Sequence, residues 1–154
     1  MTPLLLVVPT AVQGVIMSVD EGWFHRRRGL PKWERLGHPL DTLTVVACYA
    51  WTLAFPFERV GAPVGYALLA LFSCVFITKD EFIHASRCSP GEIWLHSLLF
   101  VLHPIVLGAT GYLWFLGVHR EWLVGQLALA LGFMAYQFLY WRFLWQAPRP
   151  NPNA

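Results

Sequence analysis

Four times in this chain an acidic residue stands four positions before a histidine: Glu21/His25, Glu34/His38, Asp80/His84 and Glu92/His96. Residues i and i+4 share one helix face, so each pair can aim a carboxylate and an imidazole at a single place. Further candidates flank the pairs. Asp41 follows His38 by three, Glu81 precedes His84 by three, and His103 follows His96 by seven, all helical repeats of the same faces. Carboxylates bridge and neutralise cations, and neutral imidazoles complete their shells. Four helices that each offer both groups to one interior suit a pair of metal ions held in a bundle. Such mixed oxygen and nitrogen shells favour iron first, with zinc or manganese as alternatives. The expected metal ligands are Glu21, His25, His38, Asp41, Asp80, Glu81, His84, Glu92, His96 and His103.

Several of these residues have plainer explanations. "SPGE" places Ser89 as a helix N-cap, Pro90 at the first helical position and Glu92 at the third, so Glu92 fits a capping box as well as a ligand shell. Glu34 lies in "PKWERLGHP", between two prolines, and reads as a solvated interfacial charge. Asp41 stands two residues after Pro39, near a helix start, where an acid suits the macrodipole. Asp20 reads as pointing away from the Glu21/His25 face. For the group as a whole, the competing readings are a metal-free network paired with Arg26, Arg27 and Arg28, and a bis-histidine haem. The surrounding acids would repel haem propionates.

The elements that must carry these residues are membrane-like. Of 154 residues, 56% are hydrophobic and only 13% charged, against roughly 25% charged in a soluble domain. Mean hydropathy is +0.50. The expectation is an all-α integral membrane protein with one helical domain over 1–146 and a flexible Pro/Asn-rich tail over 147–154. Five spans are readable, at about 4–25, 39–57, 63–84, 90–118 and 122–145. The start, "MTPLLLVVPT", has no basic segment of the kind that opens a cleaved signal peptide. The three cysteines form no C-x-x-C pair and imply no disulfide framework.

An internal echo refines the architecture. "SVDEGWFH" ends the first span and "ITKDEFIH" the third, while "ERLGH" precedes the second and "EIWLH" opens the fourth. Spans one to four are therefore expected as a four-helix bundle of two similar hairpins, with a fifth helix following. With the N-terminus outside, nine of the eleven Lys and Arg residues fall on the inner side, and only Arg59 and Arg120 on the outer. The positive-inside rule then puts the C-terminus and the acid/histidine cluster on the cytoplasmic side.

In arrangement the four acid/histidine pairs resemble the ferritin-like di-iron carboxylate bundles, whose Glu-x-x-His motif is matched by Glu81/His84. Membrane fatty-acid hydroxylases and desaturases share the chemistry class, but their His-x-x-His-His boxes are absent. These analogies imply a dinuclear redox enzyme, an oxidase or hydroxylase of a lipophilic substrate, served by an electron donor and surrounded by membrane lipids. A zinc-dependent hydrolase is the enzymatic alternative. Metal binding or transport is the non-enzymatic one, although only His103, Thr110 and Gln126 continue the polar groups toward the outer side. A net charge of +2 gives no footprint for nucleic acid.

Overall fold

The computed structural model describes residues 4–145, which form five helical rods and no strand. The expected tail over 147–154 lies outside the described residues. The first rod is α1 (Leu4–Val19), continued by a π-helical turn (Asp20–His25) and a last short α-turn, α2 (Arg26–Arg28). Gly29 ends it in the left-handed half of φ space (φ 74°) and donates its N–H to the His25 carbonyl at 2.7 Å. A side chain there would also strike the Trp145 ring, which lies over the glycine. The second rod is α3 (Glu34–Ala54). The third is α4 (Ala62–Phe76), a 3-10 segment (Ile77–Asp80) and α5 (Glu81–Arg87). The fourth is α6 (Pro90–Leu116), and the fifth is α7 (Arg120–Leu139) ending in a second π-turn (Tyr140–Leu144).

Three of these rods are long and apolar enough to cross a membrane: Ala62–Arg87, Pro90–Leu116 and Arg120–Leu144. α1 has 16 residues before its π-turn, and α3 carries Glu34, Arg35 and Asp41 in its first two turns. α3 begins five residues earlier than the proline-based expectation, because Pro39 is tolerated inside it. The proline removes one helical bond, to the Arg35 carbonyl, and leaves the preceding turn helical.

α3 packs most closely on α7 and also on α4, α4 packs on α6, and α6 on α1. The fifth rod is thus not appended to the outside: it lies against the length of α3. It is tied back to the first rod by two hydrogen bonds, from Gln126 Nε2 to Thr10 Oγ1 (3.0 Å) and from Trp141 Nε1 to the Glu21 carboxylate. The rods form a ring with a cavity of about 680 Å³ inside it.

The two ends of the ring differ. At one, Cys48, Ala62, Tyr66, Leu107 and Trp114 make an apolar core. Its polar handles are satisfied by backbone: Tyr66 Oη donates to Leu107 O (2.6 Å), Trp51 Nε1 to Ala62 O (3.0 Å) and Trp114 Nε1 to Phe55 O (2.8 Å). At the other end the buried groups are ionisable: Asp20, Glu21, His25, Glu34, Asp80, His84, Glu92 and His96. Large apolar side chains such as Val15, Leu68, Leu71, Val75, Val101 and Leu129 face outward. An interior more ionisable than its surface is the reverse of a water-soluble domain.

Candidate metal centre

Four histidines from four rods touch one another. His38 meets His25 edge-on with ring centroids 4.6 Å apart, His25 lies 6.1 Å from His96, and His96 lies 4.3 Å from His84. Carboxylates surround this chain of rings. Asp20 Oδ2 is 3.2 Å from His25 Nε2 and 3.1 Å from His96 Nε2. Glu21 Oε2 is 3.4 Å from His25 Nδ1, and Glu92 Oε1 is 3.7 Å from His25 Nε2.

Local structure explains why so many groups converge. The π-turn over Asp20–His25 bonds i to i+5 and is wider than an α-turn. It brings both Glu21, four before His25, and Asp20, five before it, onto the inward face. The expectation that Asp20 points away assumed a regular α-helix, and the π-turn overturns it. Glu34 is likewise no solvated charge: it is fully buried and lies in the first turn of α3. Ser89 Oγ accepts the Glu92 N–H at 3.3 Å, as the capping pattern requires. The Glu92 carboxylate nonetheless turns inward, to Arg28 and the histidines.

Potential ligand atoms fall into overlapping sets in which every atom lies within 4.8 Å of the others. One set, Asp20, His25, Glu92 and His96, shares no residue with another, Glu34, His38 and His84. Glu21 joins His25 and His38 in a third set, and Cys88 joins His84 and His96 in a fourth, and these two share no residue either. Burial pushes the Cys88 thiol up to about 12 in spite of the Arg28 charge, so it stays neutral unless a metal ion binds it.

Of the expected ligands, the structure brings together Glu21, His25, His38, His84, Glu92 and His96. The other four lie elsewhere. The 3-10 segment tightens the helix just before α5 and turns Asp80 out of phase with His84. Asp80 accepts from Trp33 Nε1 at 2.6 Å and pairs with Lys79 at 2.7 Å. Asp41 pairs with the same Lys79 Nζ, also at 2.7 Å. Glu81 is 45% exposed, with its carboxylate 4.0 Å from His84 Nδ1. His103 is buried two turns along α6 from His96, bonded to Ser73 Oγ at 2.8 Å.

Among the described residues, the permanent charges of the cluster do not balance. Among the described residues, only Arg28 forms a guanidinium ion pair with this carboxylate group, at 3.0 Å from both Glu34 and Glu92. Burial works against the Arg28 charge, but the two carboxylates outweigh it and raise its pKa above the ordinary value. Asp20 and Glu21 gain no such partner. Several ligand-type atoms also lack any hydrogen bond: Asp20 Oδ1, His25 Nε2, Glu34 Oε1, His38 Nε2, His96 Nδ1 and both nitrogens of His84. Leaving a buried polar atom unpaired costs about 1–3 kcal/mol. A cation in their midst would satisfy them and offset the charge together.

Sequence reasoning set aside Asp20 and Glu34 and did not single out Cys88 or Arg28. Glu34/His38 carried the right spacing. The signal for Asp20 was the extra residue in "DEGWFH" relative to "DEFIH". No protein-family model, curated protein or solved structure matches this chain.

Proposed function

We propose that this is a membrane-embedded enzyme with a dinuclear metal centre, iron first, that oxidises or hydroxylates a lipophilic substrate. The observation that carries the reading is that the potential ligands divide into disjoint sets, with Asp20/His25/Glu92/His96 and Glu34/His38/His84 as the carboxylate/imidazole pair, at the wall of a largely apolar cavity. One mixed carboxylate/imidazole set per ion is the pattern of a metal pair in a helical bundle. Imidazoles in contact at 4.3 and 4.6 Å leave no room for a flat macrocycle between them, which weighs against haem.

The membrane reading extends from three rods to all five. It is supported by the outward apolar side chains and by the charge bias along the chain. Under that reading the N-terminus is outside, and the centre lies near the cytoplasmic face, within reach of a soluble electron donor. The cavity lies beside it, lined by apolar residues such as Leu99, Phe100 and Val106 together with His96, His84 and Asp20.

A metal pair in this shell would supply dioxygen activation. In hydroxylation, one oxygen atom enters a C–H bond of the substrate and the other leaves as water, with two electrons and two protons drawn from the donor. The chain's own residues have separate parts. The carboxylates neutralise the cations, and Asp20 holds the His25 and His96 rings in place. Arg28 fixes Glu34 and Glu92 from behind. The apolar walls exclude water from the reacting carbon.

A zinc hydrolase is the second reading, favoured by the Cys88/His84/His96 set, whose thiol suits a softer ion. The experiment that separates the two is turnover of the iron-loaded protein in bilayers with a chemical reductant, isotope-labelled dioxygen and a lipid extract. Label in a hydroxylated product supports the redox enzyme. Unlabelled cleavage products from zinc-loaded protein would replace it with the hydrolase.

A further inference from the structure

The same cavity continues away from the cluster, and its far end is not apolar. Gln126 on α7 is 7% exposed and Gln13 on α1 is half-buried. Both line the cavity, and each keeps an amide oxygen without a hydrogen-bond partner. Their nitrogens are engaged: Gln126 Nε2 donates to Thr10 Oγ1 at 3.0 Å, and Gln13 Nε2 lies 3.4 Å from His103 Nδ1. Thr10 and Gln13 are three apart on one helix face, so the two amides stand close to each other. The last torsion of a glutamine is soft, and the free oxygen turns toward a donor at little cost. Buried amides with a vacant acceptor call for a hydroxyl or N–H group.

The seam between α1 and α7 supplies a way in from the side. The two helices barely touch: they are joined at Thr10–Gln126, and the π-turns that continue them at Glu21–Trp141. Between these ties the cavity is bordered by Gly14, Val15 and Ser18 of α1 and by Leu129, Ala130 and Phe133 of α7. Val15 and Leu129 are 63% and 73% exposed, so the border is open and apolar.

We propose that the substrate is an elongated lipid-phase molecule with a hydroxyl or N–H head, which enters between α1 and α7 and binds with that head at Gln13 and Gln126. Its apolar body then runs along the cavity to the ligand cluster. Thr10 and Gln13 precede Asp20 by ten and seven residues, about 15 and 10 Å of helix. The carbon presented to the metal therefore lies about 10–15 Å from the head, and oxidation falls on the remote part of the molecule. The inference rests on the metal-enzyme reading for its chemistry, but the binding orientation stands on the cavity alone.

The test uses the full-length protein in phosphatidylcholine bilayers and a long-chain primary alcohol carrying a photoreactive diazirine at its far end. An alkane diazirine of equal length serves as the comparison. Illumination followed by peptide mapping should place the alcohol's label at the cluster end of the cavity, near His84 and near His96, two turns along α6 from His103, in a saturable way. Gln126→Leu should weaken that labelling roughly tenfold, the loss of about one hydrogen bond from a buried amide. Gln13→Leu should do the same without disturbing the Thr10 tie. Label on Thr10 or Gln13 would reverse the orientation and overturn the proposal. Equal labelling by the alkane, or no saturable labelling, would also overturn it. Metal content measured on the same samples keeps the outcomes separate, since correct labelling without metal sinks only the enzyme reading.

Discussion

The segments DEGWFH (20–25) and DEFIH (80–84) open with the same acidic pair and close with a histidine, yet fold differently. The first widens into a π-turn, and its Asp20, Glu21 and His25 all face the cluster. The second tightens to 3-10 immediately before its Glu, and only its histidine reaches the cluster. Its Asp80 is held by Trp33 and Lys79, and its Glu81 is nearly half exposed. One additional residue separates the two. A helix that must absorb an extra residue without breaking can do so as a single wider turn, and such turns gather at functional sites. The comparison teaches that the same residue types at nearly the same spacing join the buried cluster or a structural ion pair according to the phase of the helix.

The strongest way to break the comparison is to equalise the two segments. Deleting Gly22 should convert the π-turn to a plain α-turn in which Asp20 and Glu21 stand four and three residues before the histidine, the spacing of Asp80 and Glu81 before His84. Metal content and activity should both be lost. Retention of metal by this variant would make the π-turn incidental.

Exchanging the aspartates is the next largest effect. Asp20→Asn should lower metal affinity about tenfold or more, because it removes charge between His25 and His96. Asp80→Asn should leave metal content intact and lower thermal stability, by about 1–3 kcal/mol, through the weakened Lys79 and Trp33 contacts. Metal titration beside thermal unfolding checks both. Equal metal loss in the two variants would show that the segments are equivalent after all.

The glutamates sharpen the contrast further. Glu21→Gln should reduce metal content and also weaken the tie to Trp141 on α7. Glu81→Gln, on a half-exposed side chain, should change stability by no more than about 0.5 kcal/mol and leave metal content unchanged. Gly22→Ala tests whether the residue count or the residue type matters. A methyl group there meets nothing within 4 Å, so metal content should be retained and stability should shift by less than about 1 kcal/mol. A large loss would mean that the π-turn needs the glycine itself rather than the residue count.

Much of the site could be read from residue order because the i, i+4 rule holds wherever the helix is regular. Glu34/His38 and Glu92/His96 lie on regular turns, and both pairs converge on the cluster. The rule failed where the helix changed phase, at Asp20 and at Asp80. It could not reveal Arg28. That side chain belongs to a basic run that reads as ordinary interfacial charge, and only the chain reversal at Gly29 lets it fold back on Glu34 and Glu92. All-helical structure and three long apolar rods were legible from composition alone. The place of the fifth rod was not. α7 shows no periodic sign of a partner, and its packing on α3 depends on tertiary contacts such as Thr42 Oγ1 donating to Gln137 Oε1 at 2.8 Å.

The account turns on two ligand sets that share no residue, and metal stoichiometry tests it most directly. Protein purified without chelators should hold about two ions per chain, and His119→Ala, outside the cluster, should hold the same. His38→Ala, which touches only the Glu34/His38/His84 set of the disjoint pair, should fall to about one ion, and Asp20→Asn combined with His38→Ala to none. Wild-type protein that binds no metal, or a His38→Ala variant indistinguishable from it, would contradict the dinuclear centre.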